Sequence, residues 1–301
     1  MNYRMLPLPG ILMLLLLLPF AAQAKPVTSD WSAVQGQVIE LDADALPAGP
    51  VSLRVFGHEW PVKREPGGAI HAWIGVDLAR KPGRYRLSWH IGKGAKAEHR
   101  LGHLTVTKGS FRVSRITVPK GMAVFTTRTL ALVRADQRAT LRAYKVPVQA
   151  TPDIHMKQWP VIGVISTPFG ARRFVNGEPR SPHIGIDIAV PVGTPIHAPL
   201  AGRVVLTRKM YLDGNTVIIG HGYGLYSIYC HLSHMAVKKG DWVKAGELIG
   251  ETGMTGRTTG PHLHWGVHFE KARVDPESLL PATAVAAINA AAVRYARNHH
   301  E

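Results

Sequence analysis

The chain has 301 residues, of which 46% are hydrophobic and 19% are charged. This composition is ordinary for a folded protein and excludes a chain that is disordered throughout. Cys230 is the only cysteine, which excludes internal disulfides, so the fold must rely on its hydrophobic cores.

The first 24 residues have the pattern of a secretory signal peptide. Arg4 is their only charged residue, an apolar run extends from Leu12 to Phe20, and Ala22-Gln23-Ala24 offers small residues at a cleavage site. The apolar run is short for a membrane span, which favours cleavage after Ala24 over an uncleaved anchor. We therefore expect a periplasmic protein of a Gram-negative envelope, without a transmembrane span after cleavage.

The positive charge is concentrated in the N-terminal half of the chain. The formal net charge is +16 at pH 7, and residues 25–150 hold 20 Lys and Arg against 9 Asp and Glu. Residues 151–301 hold 15 against 11. For an exported protein, the polyanions that such a surface meets are envelope polymers or lipid headgroups, not nucleic acid. A basic face that is only solvated explains the charge equally well.

Residues 25–118 are predicted to form an N-terminal antiparallel β-sandwich-like domain. Apolar and polar residues alternate in "VSLRV" and in "YRLSWHI", the pattern of strands with one buried face. Turn signals such as Pro66-Gly67-Gly68 separate these runs. A small sandwich is the simplest fold that accommodates them.

Three further segments complete the predicted organisation. Residues 119–160 are a connector that is partly helical, because the stretch between Thr126 and Tyr144 lacks Gly and Pro and is rich in Leu, Ala and Arg. Residues 161–281 contain short strands and glycine-rich turns and form a C-terminal β domain. Residues 282–301 are an alanine-rich helix that packs on this domain.

Histidine and aspartate side chains in the C-terminal domain are spaced to share one face. His183 and Asp187 are four residues apart, and His262 and His264 are two apart; on an extended chain, even separations place side chains on the same side. By the same alternation, "GLYSIYCHLS" presents His231 on one face and Cys230 on the other. We therefore expect three strand-like segments to direct imidazole and carboxylate groups to a common face.

This set of side chains suits zinc catalysis. A catalytic zinc site needs three N or O ligands and an open position where water is polarised. Two His and one Asp meet this requirement, and two histidines remain for proton transfer or oxyanion stabilisation. The chain lacks H-E-x-x-H, which excludes the helical zincin arrangement.

The segment from about residue 166 to 280 resembles the lysostaphin/LytM-type zinc metallopeptidases, which cut peptide cross-links of peptidoglycan. The resemblance rests on several motifs that occur together and in order: "STPFGARR", "HIGIDIAVPVGTPIHAPLAGRV", "GNTVIIGHGYGLYSIYCHLS", "VKAGELIGETGMTGRTTGPHLHWGV" and "RVDPESLL". It implies a mainly β fold, with an antiparallel β metallopeptidase domain whose groove holds one zinc ion and a bound water.

The resemblance also implies a role for each motif residue. His183, Asp187 and His264 match the family's metal ligands, and His231 and His262 match its catalytic pair, with the general-base role not assigned between them. Residues that lie near these motifs in the sequence are candidate substrate contacts: Arg172, Arg173, Asn215, Thr258 and Thr259.

The function implied is that of a zinc metalloendopeptidase that hydrolyses peptidoglycan cross-links in cell-wall remodelling. By analogy, the bond is D-Ala to meso-diaminopimelate. The alternative is a non-catalytic cell-wall-binding or hydrolase-regulating protein on the same fold, although every position that the chemistry needs is filled. A further hypothesis is that the N-terminal half or the connector covers the groove and keeps the enzyme latent.

The other histidines and Cys230 are given structural interpretations. Cys230 is interpreted as a buried thiol, and His221, which lies between two glycines, as a turn residue. His155, His197 and His268 are interpreted as ordinary surface or core residues.

Overall fold

The computed structural model describes residues 30–43, 46–93, 97–118, 125–149, 151 and 153–298. The predicted signal peptide, residues 1–24, lies outside these ranges, as do parts of the predicted connector. Within the described residues, no helix combines the length and the apolar character that a membrane span requires.

The strands of the N-terminal half form two sheets. Their bounds are Asp30–Val34 (β1), Val38–Ala43 (β2), Val51–Val55 (β3), His58–Trp60 (β4), Val62–Arg64 (β5), Ile70–Gly75 (β6), Gly83–Ile91 (β7) and Glu98–Thr107 (β8). One sheet has the order β1-β8-β7-β3-β4, and the other has the order β2-β6-β5. The mainly β prediction is confirmed, and Leu87, Trp89 and Ile91 of β7 are buried on one face as the alternation predicts.

One strand pair differs from the antiparallel arrangement predicted for this half. Strand β1 pairs with β8 in parallel, with Asp30 opposite His103 and Val34 opposite Thr107. These strands are far apart in the sequence, so no hairpin turn requires them to run in opposite directions.

Strand β9, Val113–Ile116, leaves the N-terminal half and pairs in parallel with β11, Arg172–Val175. Strand β11 also pairs with the short β12, Glu178–Pro179. The predicted helix between Thr126 and Tyr144 is present as α1, Thr127–Ala143. It begins at Thr126, whose side chain accepts a hydrogen bond from the Thr129 amide.

The strands of the C-terminal half form an antiparallel eight-stranded sheet and a three-stranded sheet. Bounds in the large sheet are Val164–Thr167 (β10), Gly185–Ala189 (β13), Gly202–Met210 (β15), Gly214–Gly222 (β16), Leu225–Leu232 (β17), Trp242–Val243 (β19), His262–Phe269 (β21) and Ala272–Val274 (β22). Its order is β10-β13-β21-β17-β16-β15-β19, with β22 beside β21. The small sheet consists of Pro195–His197 (β14), His234–Met235 (β18) and Leu248–Glu251 (β20).

The end of the chain folds back on the C-terminal half. A short 3-10 helix, Pro276–Leu279, leads to helix α2, Ala282–Asn298. Ile288 of α2 is buried, and the Trp159 indole donates a hydrogen bond to the carbonyl of Ala284 at 2.8 Å. These contacts place α2 against the preceding strands.

Buried side chains of the two halves form one continuous hydrophobic cluster. The rings of Trp60 and Phe269 lie 5.6 Å apart, and those of Trp73 and Tyr223 lie 5.1 Å apart. Arg273 donates to Asp77 at 2.6 Å. The two halves are therefore packed on each other, and the division into domains at residues 118, 160 and 281 stays a prediction.

Candidate metal centre and active site

Adjacent strands of the large sheet bring the predicted metal ligands together. Strand β21 lies between β13 and β17, and Asp187 is directly opposite His264 across the β13–β21 ladder. Residues that are opposite in an antiparallel ladder point to the same face. His262 is opposite Ala189 in the same ladder and shares this face with His264.

His183, Asp187 and His264 form a compact set of metal donors. The His183 Nε2 atom lies 2.9 Å from Asp187 Oδ1 and 3.0 Å from His264 Nδ1, and His264 Nδ1 lies 2.8 Å from Asp187 Oδ1. Two imidazole nitrogens and a carboxylate oxygen are ligands that zinc accepts. The other ring nitrogen of His183, Nδ1, donates to the Pro168 carbonyl at 3.1 Å and so directs Nε2 toward the cluster.

Burial and hydrogen bonding set the charge states of these groups. Burial alone would raise the pKa of Asp187, but hydrogen bonds from His183 and His264 hold that pKa well below its usual range. Burial lowers the pKa of His183 in spite of its contact with Asp187. An ionised carboxylate and a neutral imidazole are the forms that bind a metal ion.

His231 reaches the site through an unusual backbone conformation. Cys230, not His231, is opposite His264 across the β17–β21 ladder, so strict alternation would direct His231 to the other face. The face predicted from alternation in "GLYSIYCHLS" is therefore wrong for Cys230, whereas His231 lies on the predicted face for a reason other than alternation. His231 has a φ of 66°, in the left-handed region, and this turn brings its ring within 4.8 Å of the His262 ring.

The two predicted catalytic histidines have the same orientation. His231 Nδ1 lies 2.9 Å from the Thr255 carbonyl, and His262 Nδ1 lies 2.9 Å from the Gly260 carbonyl. A carbonyl can only accept, so each Nδ1 carries a proton and each Nε2 has a lone pair that can accept one. The Nε2 atom of His262 lies 3.8 Å from Asp187 Oδ1. Burial lowers the pKa of His231 to about 3, which keeps its ring neutral.

Gly185 is a site residue that the sequence analysis missed. A Cβ atom at this position would lie 2.6 Å from the Trp265 carbonyl oxygen and 2.8 Å from Cε1 of His264. Only a glycine leaves room for the His264 ring at its present place. A glycine inside a strand is a known signal of close approach, and this signal was available in "HIGIDIA".

The candidate substrate contacts are distributed unevenly around the centre. Arg173 is beside it, with Nη2 4.0 Å from Asp187 Oδ2, whereas Arg172 is exposed on the same strand. The side-chain amide of Asn215 donates through Nδ2 to the Leu232 carbonyl at 3.0 Å, a contact that supports the end of β17. Thr258 is half-buried and Thr259 is exposed in the loop before β21.

The structure agrees with the structural interpretation of Cys230 but not with that of His221. Cys230 is buried, and burial raises the pKa of its thiol, as expected of an unreactive cysteine. The interpretation of His221 as a turn residue is wrong, because it lies within β16 and is fully buried. Its ring is held by the Ala201 carbonyl and the Ser227 hydroxyl, each at 2.8 Å.

Comparison with known proteins agrees with this geometry. Residues 181–276 match the model of peptidase family M23. The crystal structure of a Pseudomonas aeruginosa protein described as a peptidase M23 superposes with a TM-score of 0.64 at 32% identity, covering 82% of this chain and 94% of that chain. The chain therefore belongs to peptidase family M23, and the resemblance to LytM-type peptidases is confirmed.

Two curated relatives match the C-terminal half. The peptidoglycan DD-endopeptidase ShyA of Vibrio cholerae is 47% identical over 102 residues, which are 34% of this chain and 24% of that protein. The DD-carboxypeptidase/endopeptidase Mpg of Neisseria meningitidis is 40% identical over 115 residues, which are 38% of this chain and 26% of that protein. The chain thus spans about a quarter of the length of these relatives.

Proposed function

We propose that this protein is a zinc-dependent endopeptidase that hydrolyses peptide cross-links of peptidoglycan. One observation carries the proposal: three metal donors, each within 3.0 Å of the next, lie beside two histidines whose Nδ1 atoms donate to backbone carbonyls, which leaves each Nε2 to accept a proton. The name of the Vibrio cholerae relative supports peptidoglycan as the substrate.

The donor set fits zinc. His183, Asp187 and His264 together can hold one ion, with donor atoms all within 4.8 Å of one another. Zinc bound there would supply Lewis-acid polarisation of the scissile carbonyl and of a water molecule.

The chain's own residues supply proton transfer and orientation. The Thr255 and Gly260 carbonyls hold the rings of His231 and His262 so that their Nε2 atoms can accept a proton from the attacking water. Once protonated, either imidazole can donate that proton to the leaving amine or stabilise the developing oxyanion. Arg173, whose Nη2 atom lies 4.0 Å from Asp187 Oδ2, would orient a carboxylate of the substrate.

The finer assignments are proposed by analogy with the family and from the sequence. The bond proposed is D-Ala to meso-diaminopimelate, the location is the periplasm, and export depends on the apolar N-terminal segment. The basic N-terminal half, with 20 Lys and Arg against 9 Asp and Glu in residues 25–150, would hold the enzyme near anionic envelope polymers.

The test measures metal content and cleavage together. A chain from Lys25 onward, which keeps every residue that the structure describes, is incubated with purified sacculi, and the released muropeptides are analysed by mass spectrometry. We expect cross-linked dimers to become monomers, and the mass of the products to name the bond. His262→Ala should reduce cleavage by a factor of about 100 to 10,000, because it removes a proton acceptor but no metal ligand.

Two controls separate the metal from the catalytic pair. His264→Ala should lower the bound zinc by about one equivalent per chain, whereas the exposed His234→Ala should change neither zinc nor cleavage. If the wild-type chain binds zinc at His264 but releases no product from sacculi, the proposal fails and a non-catalytic wall-binding or regulatory protein is favoured.

A further inference from the structure

A second group of metal-binding side chains lies on the N-terminal half. Glu40 and Asp42 are two residues apart on β2 and share a face, and His71 of β6 is directly opposite Asp42. The His71 Nδ1 atom lies 2.7 Å from Asp42 Oδ1 and 3.1 Å from Glu40 Oε1. The three donor atoms are within 4.8 Å of one another.

A fourth donor comes from a different part of the chain. The Nε2 atom of His155 lies 3.6 Å from Oε2 of Glu40, so the Glu40 carboxylate bridges the two imidazoles. Residues 153–155 immediately precede the C-terminal half, whereas β2 and β6 belong to the N-terminal sheet. His155 thus approaches a carboxylate that lies more than a hundred positions before it in the sequence.

Asp153 orients His155 in the way that metal-binding histidines are oriented. The His155 Nδ1 atom donates to Asp153 Oδ1 at 2.7 Å, and the same carboxylate oxygen accepts from the His155 amide at 3.2 Å. Most metal-bound histidines donate their second ring nitrogen to a carboxylate or carbonyl in this manner. The arrangement leaves Nε2 of His155 directed toward Glu40.

We propose that Glu40, Asp42, His71 and His155 bind a divalent transition-metal ion, with zinc as the probe that identifies the site. Two imidazoles with two carboxylates form a mixed N and O donor set that suits zinc. Ligands about 2.1 Å from a tetrahedral ion are about 3.4 Å apart. The three separations of 2.7, 3.1 and 3.6 Å are close to that value for Glu40, Asp42 and His71 and for the Glu40–His155 pair. His155 lies at the edge of the three-residue group and completes the set by a movement of its side chain toward Asp42 and His71.

Ordinary surface ion pairs are the competing explanation for this cluster. The side chains of His71, Glu40 and His155 are 32%, 31% and 43% exposed, and that of Asp42 is 71% exposed. Exposed pairs of imidazolium and carboxylate need no metal and stabilise little. The two explanations differ in one measurable quantity, the number of zinc equivalents that the chain binds outside the peptidase centre.

The experiment titrates zinc into the metal-free chain from Lys25 onward by isothermal calorimetry. We expect about two equivalents for the wild-type chain and about one for His71→Ala/His155→Ala. His264→Ala should also lose one equivalent, and the triple variant should lose both. The matched control is His90→Ala/His99→Ala, a pair of histidines on β7 and β8 with rings 4.6 Å apart, which should keep two equivalents.

A second variant tests the orienting role of Asp153. Asp153→Asn removes the carboxylate but keeps the side-chain size, and it should weaken the second equivalent by a factor of about 10 to 100 while leaving the first unchanged. Zinc should also raise the melting temperature of His264→Ala, because only the folded chain holds the two segments together.

The outcomes decide between the two explanations. The metal-free variants must melt within a few degrees of the metal-free wild type, which circular dichroism establishes; Asp42→Asn replaces any variant that does not. A wild-type chain whose single equivalent is lost in His264→Ala, or a His71→Ala/His155→Ala variant that still binds two, overturns the proposal. Cleavage of sacculi is independent of this result, because none of these residues belongs to the peptidase centre.

Discussion

Individual residues determine the shape of the peptidase centre. His231 adopts a left-handed backbone conformation that a side chain with a Cβ atom adopts rarely, and this conformation redirects its ring toward His262. Gly185 acts through the absence of a side chain, which leaves space for the ring of His264. The geometry of the centre therefore depends on positions beyond the five candidate site residues.

A prediction follows for Gly185. The substitution Gly185→Ala places a Cβ atom 2.8 Å from the His264 ring and 2.6 Å from a backbone oxygen, so His264 must move. We expect zinc affinity at the peptidase centre to fall by a factor of about 10 or more, as measured with a chelator in competition.

The control for this prediction is Gly67→Ala, because a Cβ atom at Gly67 meets no atom within 4 Å. It should bind zinc as the wild type does. Unchanged zinc affinity in Gly185→Ala would show that the ring of His264 has more freedom than the structure indicates.

Helix α1 follows the N-terminal strands in the chain and packs against the large sheet of the C-terminal half, on the face that carries the centre. Its buried Asp136 accepts hydrogen bonds from Arg208 Nε and from the Tyr211 amide, both at 2.8 Å. A cavity of about 500 Å³ lies between α1 and the sheet, and its lining includes Tyr144 and Ile184, the neighbour of His183. Just before α1, Phe125 contacts the guanidinium of Arg257.

Substitution of Asp136 can test the hypothesis that the connector covers the groove and keeps the enzyme latent, because these contacts hold α1 on the sheet. Asp136→Ala removes both acceptors, and we expect the free energy of unfolding to fall by about 2 to 3 kcal/mol. Asp136→Asn, which can still accept from the Tyr211 amide, should lower the free energy of unfolding by a smaller amount. Both values come from urea denaturation followed by circular dichroism.

The same variants test whether α1 restricts the groove. If it does, Asp136→Ala should cleave sacculi several-fold faster than the wild type at a temperature where both are folded. Equal or slower cleavage by the folded variant would exclude latency through α1, although the endopeptidase proposal would be unaffected.

At the scale of the whole molecule, the two halves share one core and are joined by polar contacts. Asp275, in the "RVDPESLL" segment, donates its amide to the Gly36 carbonyl of the N-terminal half at 2.7 Å. Its carboxyl group accepts a hydrogen bond from the Glu277 amide at 3.1 Å. Burial raises the pKa of Asp275 to about 7.

This raised pKa predicts how stability changes with pH. A carboxyl with a pKa near 7 in the folded chain and near 3.8 in the unfolded chain binds a proton more tightly when folded. The stability that this proton contributes is fully present below about pH 4 and is lost as the pH rises from about 4 to about 7. Above about pH 7, stability no longer changes with pH through this group. The loss is about 2 kcal/mol after allowance for partial solvent access.

Asp275→Asn isolates this effect, because the amide oxygen can still accept from the Glu277 amide but does not titrate. We expect the variant to be more stable than the wild type at pH 8 and to lose that advantage at pH 4. Urea denaturation of both proteins at pH 8 and at pH 4 measures this difference in stability. A difference in stability that does not depend on pH would show that folding does not raise the pKa of the Asp275 carboxyl.

The sequence by itself determined the mainly β class, the helix between Thr126 and Tyr144 and the five side chains of the centre. Alternation, the absence of Gly and Pro, and motifs in fixed order are local signals, and they can be read without knowing which strands pair. The division into domains and the roles of the individual site residues stay predictions.

Only the tertiary structure decided how distant segments meet. The parallel pairing of β1 with β8, the turn of His231 out of its strand's alternation and the burial of His221 inside β16 depend on neighbours far away in the chain. The same is true of Glu40 and His155, which become a candidate metal site only because two distant segments converge. Side-chain periodicity describes one strand, whereas the choice of pairing partners comes from burying the hydrophobic surface of the whole chain.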